Sequence, residues 1–141
     1  MAEVTMTVRT SDKVAEALAN YAGTKSAGAI RAVEGFVQLR KYINYELKGV
    51  FTREELISIV DAQNGLLLET ALQANKGIFL AHCEDAERLE SAFSRNGANW
   101  DDARVKIEGM SPAQVFFLQD AIALFWERQE TGLEEFIAQF L

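Results

Sequence analysis

The sequence predicts a mainly α-helical protein that begins with one short β-strand. Residues 4–10, Val-Thr-Met-Thr-Val-Arg-Thr, alternate apolar and polar side chains and are rich in β-branched residues, as in a half-buried strand. From Ser11 onwards, apolar residues recur at the spacing of amphipathic helices. Capping residues and glycines divide this remainder into a series of helices.

The composition is that of a globular protein in a reducing compartment. The 141 residues are 49% hydrophobic and 25% charged, which excludes a mainly disordered chain. Cys83 is the single cysteine, so no internal disulfide can form. The sequence has no signal-peptide pattern and no run of about 18 apolar residues. We therefore expect a cytoplasmic protein with no membrane association.

Two helices are predicted directly after the strand. Ser11 is a suitable N-cap for the first helix, and Gly23 ends it. Thr24 or Ser26 then opens a second helix, which runs to about Lys48. This long helix carries apolar residues on or near one stripe: Ile30, Val33, Val37, Ile43 and Leu47.

Capping signals predict three further helix starts. These are Thr52 with Glu55, Thr131 with Glu134, and Ser111 followed by Pro112. Helices are also predicted over about 66–75, 78–94 and 101–107, separated by Asn-Lys-Gly and Asn-Gly sequences. The whole region after the second helix is therefore predicted to be helical.

The helix after Pro112 is predicted to be central, because residues 115–118 and 121–126 are apolar on every side of it. The last helix carries apolar residues on one face: Leu133, Phe136, Ile137, Phe140 and Leu141. The aromatic residues of these two helices are interpreted as core. A groove for a partner or ligand, closed by the last helix, is the alternative.

The single strand needs a partner, because its backbone groups would otherwise be unpaired. In an otherwise helical chain, the same strand of a second copy is the natural candidate. Residues 4 to about 40 then form strand, short helix, turn and longer helix, and they resemble the ribbon-helix-helix family of dimeric DNA-binding repressors. Thr7–Leu18 is similar to the strand-to-helix junction of that family, and Gly23–Ser26 to its turn.

The resemblance implies a DNA-binding surface. One face of the paired ribbon would lie on the helices, and the other would present Thr5, Thr7 and Arg9 to the major groove. Arginine can bond bidentately to guanine, and threonine can contact base edges. The start of the second helix would hold a phosphate through backbone N–H groups and three side chains: Thr24, Lys25 and Ser26.

The chain departs from the family pattern at two places. In the family, the second helix usually opens with a larger aliphatic residue, where this chain has Ala27-Gly28-Ala29. The alignment of this helix with the family pattern therefore stays open by one residue. Thr10 stands where the family prefers an apolar residue. A different interpretation also stays open, in which residues 4–10 are an edge strand or an extended arm on a helical bundle.

The charge distribution suggests two domains. The net charge is −7, yet residues 1–48 have seven Lys or Arg against five Asp or Glu, which is +2 and leaves −9 for the rest. We therefore predict a dimerisation and DNA-binding module over 1–48 and an acidic all-helical domain over 49–141. The acidic domain would space dimers along DNA, sense a ligand or hold a protein partner.

The predicted function is that of a homodimeric transcriptional regulator, or one forming a higher even-numbered oligomer, that binds DNA sequence-specifically. The alternative is an all-helical protein-interaction or antitoxin-like protein that holds a basic partner and does not contact DNA.

No catalytic, metal or cofactor site is predicted, so the protein is not expected to be an enzyme. His82 and Cys83 are consecutive and point in different directions on a helix, and no second histidine or cysteine completes a tetrahedral site. Three acidic pairs fall in first turns of predicted helices, where they favour the helix dipole. They are Glu54-Glu55, Asp101-Asp102 and Glu134-Glu135.

Overall fold

The computed structural model describes residue 5 and residues 7–64 and 86–141, except for the side chains of 86–90. These residues contain seven α-helices: α1 (Asp12–Ala22), α2 (Lys25–Leu47), α3 (Arg53–Ala62), α4 (Ala86–Arg95), α5 (Trp100–Glu108), α6 (Pro112–Arg128) and α7 (Leu133–Ala138). The prediction of a mainly helical protein is confirmed. Residues 5 and 7–10 lie outside the helices, and no strand occurs in the described part of this single chain. The strand over 4–10 stays a prediction.

The two N-terminal helices begin and end where the sequence predicts. Ser11 caps α1, because its hydroxyl accepts a hydrogen bond from the Val14 amide. Gly23 follows α1 with a φ of 87°, a conformation that glycine adopts at little cost. Thr24, rather than Ser26, caps α2, since its hydroxyl accepts from the Ala27 amide at 3.1 Å.

Two of the three capping predictions for later helices are confirmed. Thr52 and Glu55 form a reciprocal capping box at α3. Ser111 forms the same box with Gln114 at α6, where Pro112 occupies the first helical position.

The third capping prediction, at α7, is wrong. Gly132 rather than Thr131 is the N-cap, and it provides no side-chain cap. With the helix starting one residue later, Glu134 no longer occupies the third position that a capping box requires. Glu134 accepts hydrogen bonds from the Arg53 guanidinium instead.

The helix predicted over 101–107 is observed as α5. The helix predicted over 78–94 is described only from Ala86, as α4. The helix predicted over 66–75 lies outside the described residues, as do His82 and Cys83.

The chain forms two compact units, which divide within α2. The N-terminal unit is Met1–Arg40, and the C-terminal unit is Lys41–Leu141. The charge distribution predicts a boundary after Lys48. Ile43 and Leu47 are buried in the core of the C-terminal unit, so the last part of α2 belongs there by packing. The functional division into two domains stays a prediction.

The C-terminal unit has an extensive apolar core around α6. Six residues of this helix are buried hydrophobics, as its apolar pattern predicts: Val115, Phe117, Leu118, Ala121, Ile122 and Ala123. From α7, Phe136, Ile137 and Phe140 join the core, whereas Leu141 is exposed, contrary to the predicted face. The rings of Phe125 and Phe136 lie 4.9 Å apart, which supports the interpretation of the aromatic residues as core.

Polar contacts between helices also hold this unit together. α3 packs against α4 and α7, and α4 packs against α5. The contacts join Trp126 Nε1 to the Val60 carbonyl, the Gly49 amide to the Phe140 carbonyl, Arg95 to Asp61, and Arg53 to Glu134. Hydrogen bonds and ion pairs therefore hold this unit together in addition to apolar packing.

Candidate nucleic-acid interface

The three residues predicted for base contact lie in the exposed segment before α1. Thr5, Thr7 and Arg9 are all exposed. Arg9 forms no ion pair within the described residues. Val8, which belongs to the opposite face of the predicted ribbon, is 71% exposed as well. The described side chains of this segment are therefore exposed on both faces of the predicted ribbon.

The predicted phosphate contacts lie at the first turn of α2. Thr24, Lys25 and Ser26 are exposed. The Thr24 hydroxyl is occupied as the N-cap, which leaves the Lys25 ammonium and the Ser26 hydroxyl to face an anion. A helix N-terminus with a nearby cation has the electrostatic character that phosphate binding requires.

The close packing of α1 on α2 positions these segments within the N-terminal unit. Gly28 is buried, and a Cβ on this residue would overlap the Leu18 carbonyl oxygen. The glycine therefore allows the backbones of the two helices to approach. This approach explains why a larger aliphatic residue is missing from Ala27-Gly28-Ala29. One turn further along α2, Arg31 lies over the Tyr21 ring, 5.9 Å from its centroid.

The N-terminal unit carries a large apolar surface. Its exposed large hydrophobic side chains are Val8, Val14, Tyr21, Ile30, Val33, Phe36, Val37 and Leu39. Ile30 is 58% exposed and Val33 is 63% exposed, although both lie on the stripe predicted from the sequence. No residue of α1 is buried. Large exposed apolar side chains concentrated in one unit are typical of an interaction site.

The buried hydrophobic residues lie in the other unit. Among the described residues, the first is Ile43, and all the rest follow it in the chain. The sequence identified the apolar residues of α1 and α2 by their spacing, but spacing alone does not tell whether the same chain covers them.

The two units also differ in charge. The N-terminal unit has five Lys or Arg and four Asp or Glu, a net charge of +1. The C-terminal unit has nine and seventeen, a net charge of −8, and the two values add to the total of −7. A polyanion is therefore repelled far less by the N-terminal unit than by the C-terminal unit as a whole.

The three acidic pairs favour the helices in which they occur, because negative charge near a helix N-terminus interacts favourably with the helix dipole. Each of the three lies in a first turn, as predicted: that of α3, α5 or α7. Glu55 also forms an ion pair with Lys106, and is 4% exposed. Within residues 5, 7–64 and 86–141, no three His, Cys, Asp or Glu side chains gather as a metal site.

None of the described helices is both long and apolar enough to cross a bilayer. Comparison of the chain with protein-family models, with curated proteins and with solved structures gives no match.

Proposed function

We propose that this protein is a homodimeric transcriptional regulator of the cytoplasm that binds DNA sequence-specifically. In this proposal, the segments around residues 4–10 of two copies pair as an antiparallel β-ribbon, and the ribbon lies in the major groove. The observation that carries the proposal is the exposed apolar surface of the N-terminal unit, which has no buried hydrophobic side chain among its described residues.

A second copy provides the cover that this surface lacks. Full burial of a valine, leucine, isoleucine or phenylalanine side chain is worth about 1.5–3 kcal/mol relative to exposure. Eight large apolar side chains of the unit are exposed in one copy, so a shared core is strongly favoured over two open faces. Pairing the segments before α1 would also satisfy their backbone groups.

The proposed DNA contacts are made by the face of the ribbon that the helices do not cover. With Val8 turned to the helices, Thr5, Thr7 and Arg9 face the groove, where Arg9 is suited to guanine. The exposed first turn of α2, with Lys25, provides a contact for flanking phosphate.

A second candidate is a protein-interaction or antitoxin-like function without DNA contact. The charge of −8 on the C-terminal unit favours a basic protein partner. In that case the apolar surface of the N-terminal unit serves assembly alone.

DNA binding by an Arg9→Ala variant separates the two candidates. Duplexes are first selected from a random library with the wild-type protein. Affinity is then measured for a selected duplex and for a scrambled duplex of the same composition. A lost bidentate base contact costs about 1–3 kcal/mol, so we expect Arg9→Ala to weaken binding to the selected duplex roughly 5- to 150-fold. Binding to the scrambled duplex should change much less.

Arg128→Ala is the matched control, because Arg128 is an exposed arginine of α6 that pairs only locally with Glu130. It should bind both duplexes as the wild type does. If no duplex is enriched, or if Arg9→Ala retains the full preference, the proposed DNA-reading ribbon is wrong.

A further inference from the structure

Two lysines stand apart from the other cations of the C-terminal unit. Five of its described Lys and Arg residues form ion pairs: Arg53, Arg95, Arg104, Lys106 and Arg128. Lys41 and Lys48 are exposed and have no carboxylate partner among the described residues. In a unit with a net charge of −8, two lysines that are unpaired among the described residues and lie in one short stretch are unexpected.

These lysines lie at and just beyond the end of α2, together with tyrosines. Lys41 and Tyr45 are one turn apart on the same side of α2, and Lys48 lies in the turn that directly follows its last residue, Leu47. Tyr45 is 75% exposed, and Tyr42 beside it on the helix is 61% exposed. We name these four residues the lysine–tyrosine face.

The nearest carboxylate on α2 is directed elsewhere. Glu46 is five residues after Lys41, which turns it about 140° around the helix axis. Its carboxylate accepts a hydrogen bond from Gln114 of α6. Lys41 and Lys48 are therefore exposed, and neither forms an ion pair with Glu46.

We propose that the lysine–tyrosine face binds the phosphate backbone of duplex DNA without reading its sequence. Lysine ammonium groups and tyrosine hydroxyls are both phosphate donors in protein–DNA complexes. The face has no bidentate guanidinium for a base edge, so it adds affinity rather than specificity. This inference takes its partner from the proposed function and adds a contact outside the ribbon and the first turn of α2.

The salt dependence of DNA affinity tests the proposal. The full-length chain, a Lys41→Gln/Lys48→Gln variant and an Arg104→Gln/Arg128→Gln control are titrated against the scrambled duplex over a range of salt concentrations. The control also removes two positive charges, one from α5 and one from α6. Each lost phosphate contact reduces the slope of log K against log salt by about 0.9, so the lysine variant should lose about 1.8 in slope.

The control should keep the wild-type slope. Equal slopes for the lysine variant and the wild type overturn the proposal, as does an equal loss in the control. If the lysine variant changes the molar mass instead of the DNA affinity, the face joins copies of the chain and the proposal is also wrong.

The outcomes distinguish this proposal from the ribbon. If the lysine variant has a shallower slope and Arg9→Ala keeps the duplex preference, DNA binding by the lysine–tyrosine face is supported and the DNA-reading ribbon is contradicted. If the lysine variant keeps the wild-type slope and Arg9→Ala loses the duplex preference, the ribbon is supported and the proposal for the lysine–tyrosine face is wrong. A wild-type protein that binds no duplex contradicts both.

Discussion

Gln119 is the residue whose burial is hardest to reconcile with its chemistry. It lies in the middle of α6 and is 0% exposed, yet among the described residues neither its amide nitrogen nor its amide oxygen has a hydrogen-bond partner. A buried polar group without a partner costs about 1–3 kcal/mol, because its hydrogen bonds to water are lost without replacement. We therefore expect Gln119 to destabilise the core of the C-terminal unit.

Gln119→Met should increase the free energy of unfolding by about 1–3 kcal/mol, because methionine is similar in length and has no amide to desolvate. Urea denaturation of the full chain measures this change. Gln38→Met, on the exposed side of α2, is the control and should stay within about 0.5 kcal/mol of the wild type. A loss of stability in Gln119→Met would mean that the amide is hydrogen-bonded in solution.

At the scale of residues, local signals could be predicted and distant contacts could not. The reciprocal bonds of Thr52 and Glu55 depend on residues three apart, so the sequence pattern was sufficient to identify them. The ion pair of Glu55 with Lys106 joins residues 51 apart, and no local spacing indicates it. The burial of Gln119 likewise depends on which helices cover α6.

Helix α2 shows how one element can serve two units. Its start packs against α1 at Gly28, and near its end Ile43 and Leu47 are buried in the core of the C-terminal unit. No turn or capping signal interrupts residues 36–48, which is why the sequence predicted one long helix correctly and placed the domain boundary after it. The packing partner changes within the helix, between Val37 and Ile43, where the apolar stripe is interrupted by Arg40 and Lys41.

Two glycine substitutions in α2 test the close approach of α1. Gly28→Ala should destabilise the protein by about 1–3 kcal/mol, because the new Cβ would overlap the Leu18 carbonyl oxygen and α1 would have to move. Gly35→Ala should stabilise it by about 0.5–1 kcal/mol, because a Cβ there would meet no neighbouring element within 4 Å and alanine favours a helix.

Thermal unfolding followed by circular dichroism compares the two variants. Since both replace a helical glycine by alanine, the difference in sign isolates the contact with α1. Shifts of the same sign and size would contradict the packing described for Gly28.

At the scale of the whole molecule, the two halves of the chain present opposite surfaces. Among the described residues, all the buried hydrophobic side chains belong to the C-terminal unit, which is strongly acidic, whereas the N-terminal unit buries none and is nearly neutral. The sequence pointed to a second copy through a strand without a partner. The exposed hydrophobic side chains support the same inference by a different route, since all of them except Val8 lie on α1 and α2 rather than in the predicted strand.

The proposed DNA-contact residues cannot be derived from physical patterns alone. The prediction of Thr5, Thr7, Arg9 and the first turn of α2 depends on a resemblance, and in a single chain these residues are exposed. What a surface binds depends on a second molecule. For this reason the assembly of the protein must be measured before its DNA sequence is sought.

The most direct test is the molar mass in solution, measured by light scattering for the full chain and for a version that lacks residues 1–10. The account predicts twice the chain mass of 15.7 kDa, or a higher even multiple, for the full chain. The shortened chain should dissociate, or aggregate through the apolar surface it can no longer cover in an ordered way. A monomeric full chain, or a shortened chain with unchanged molar mass, would contradict the shared ribbon on which the proposed function depends.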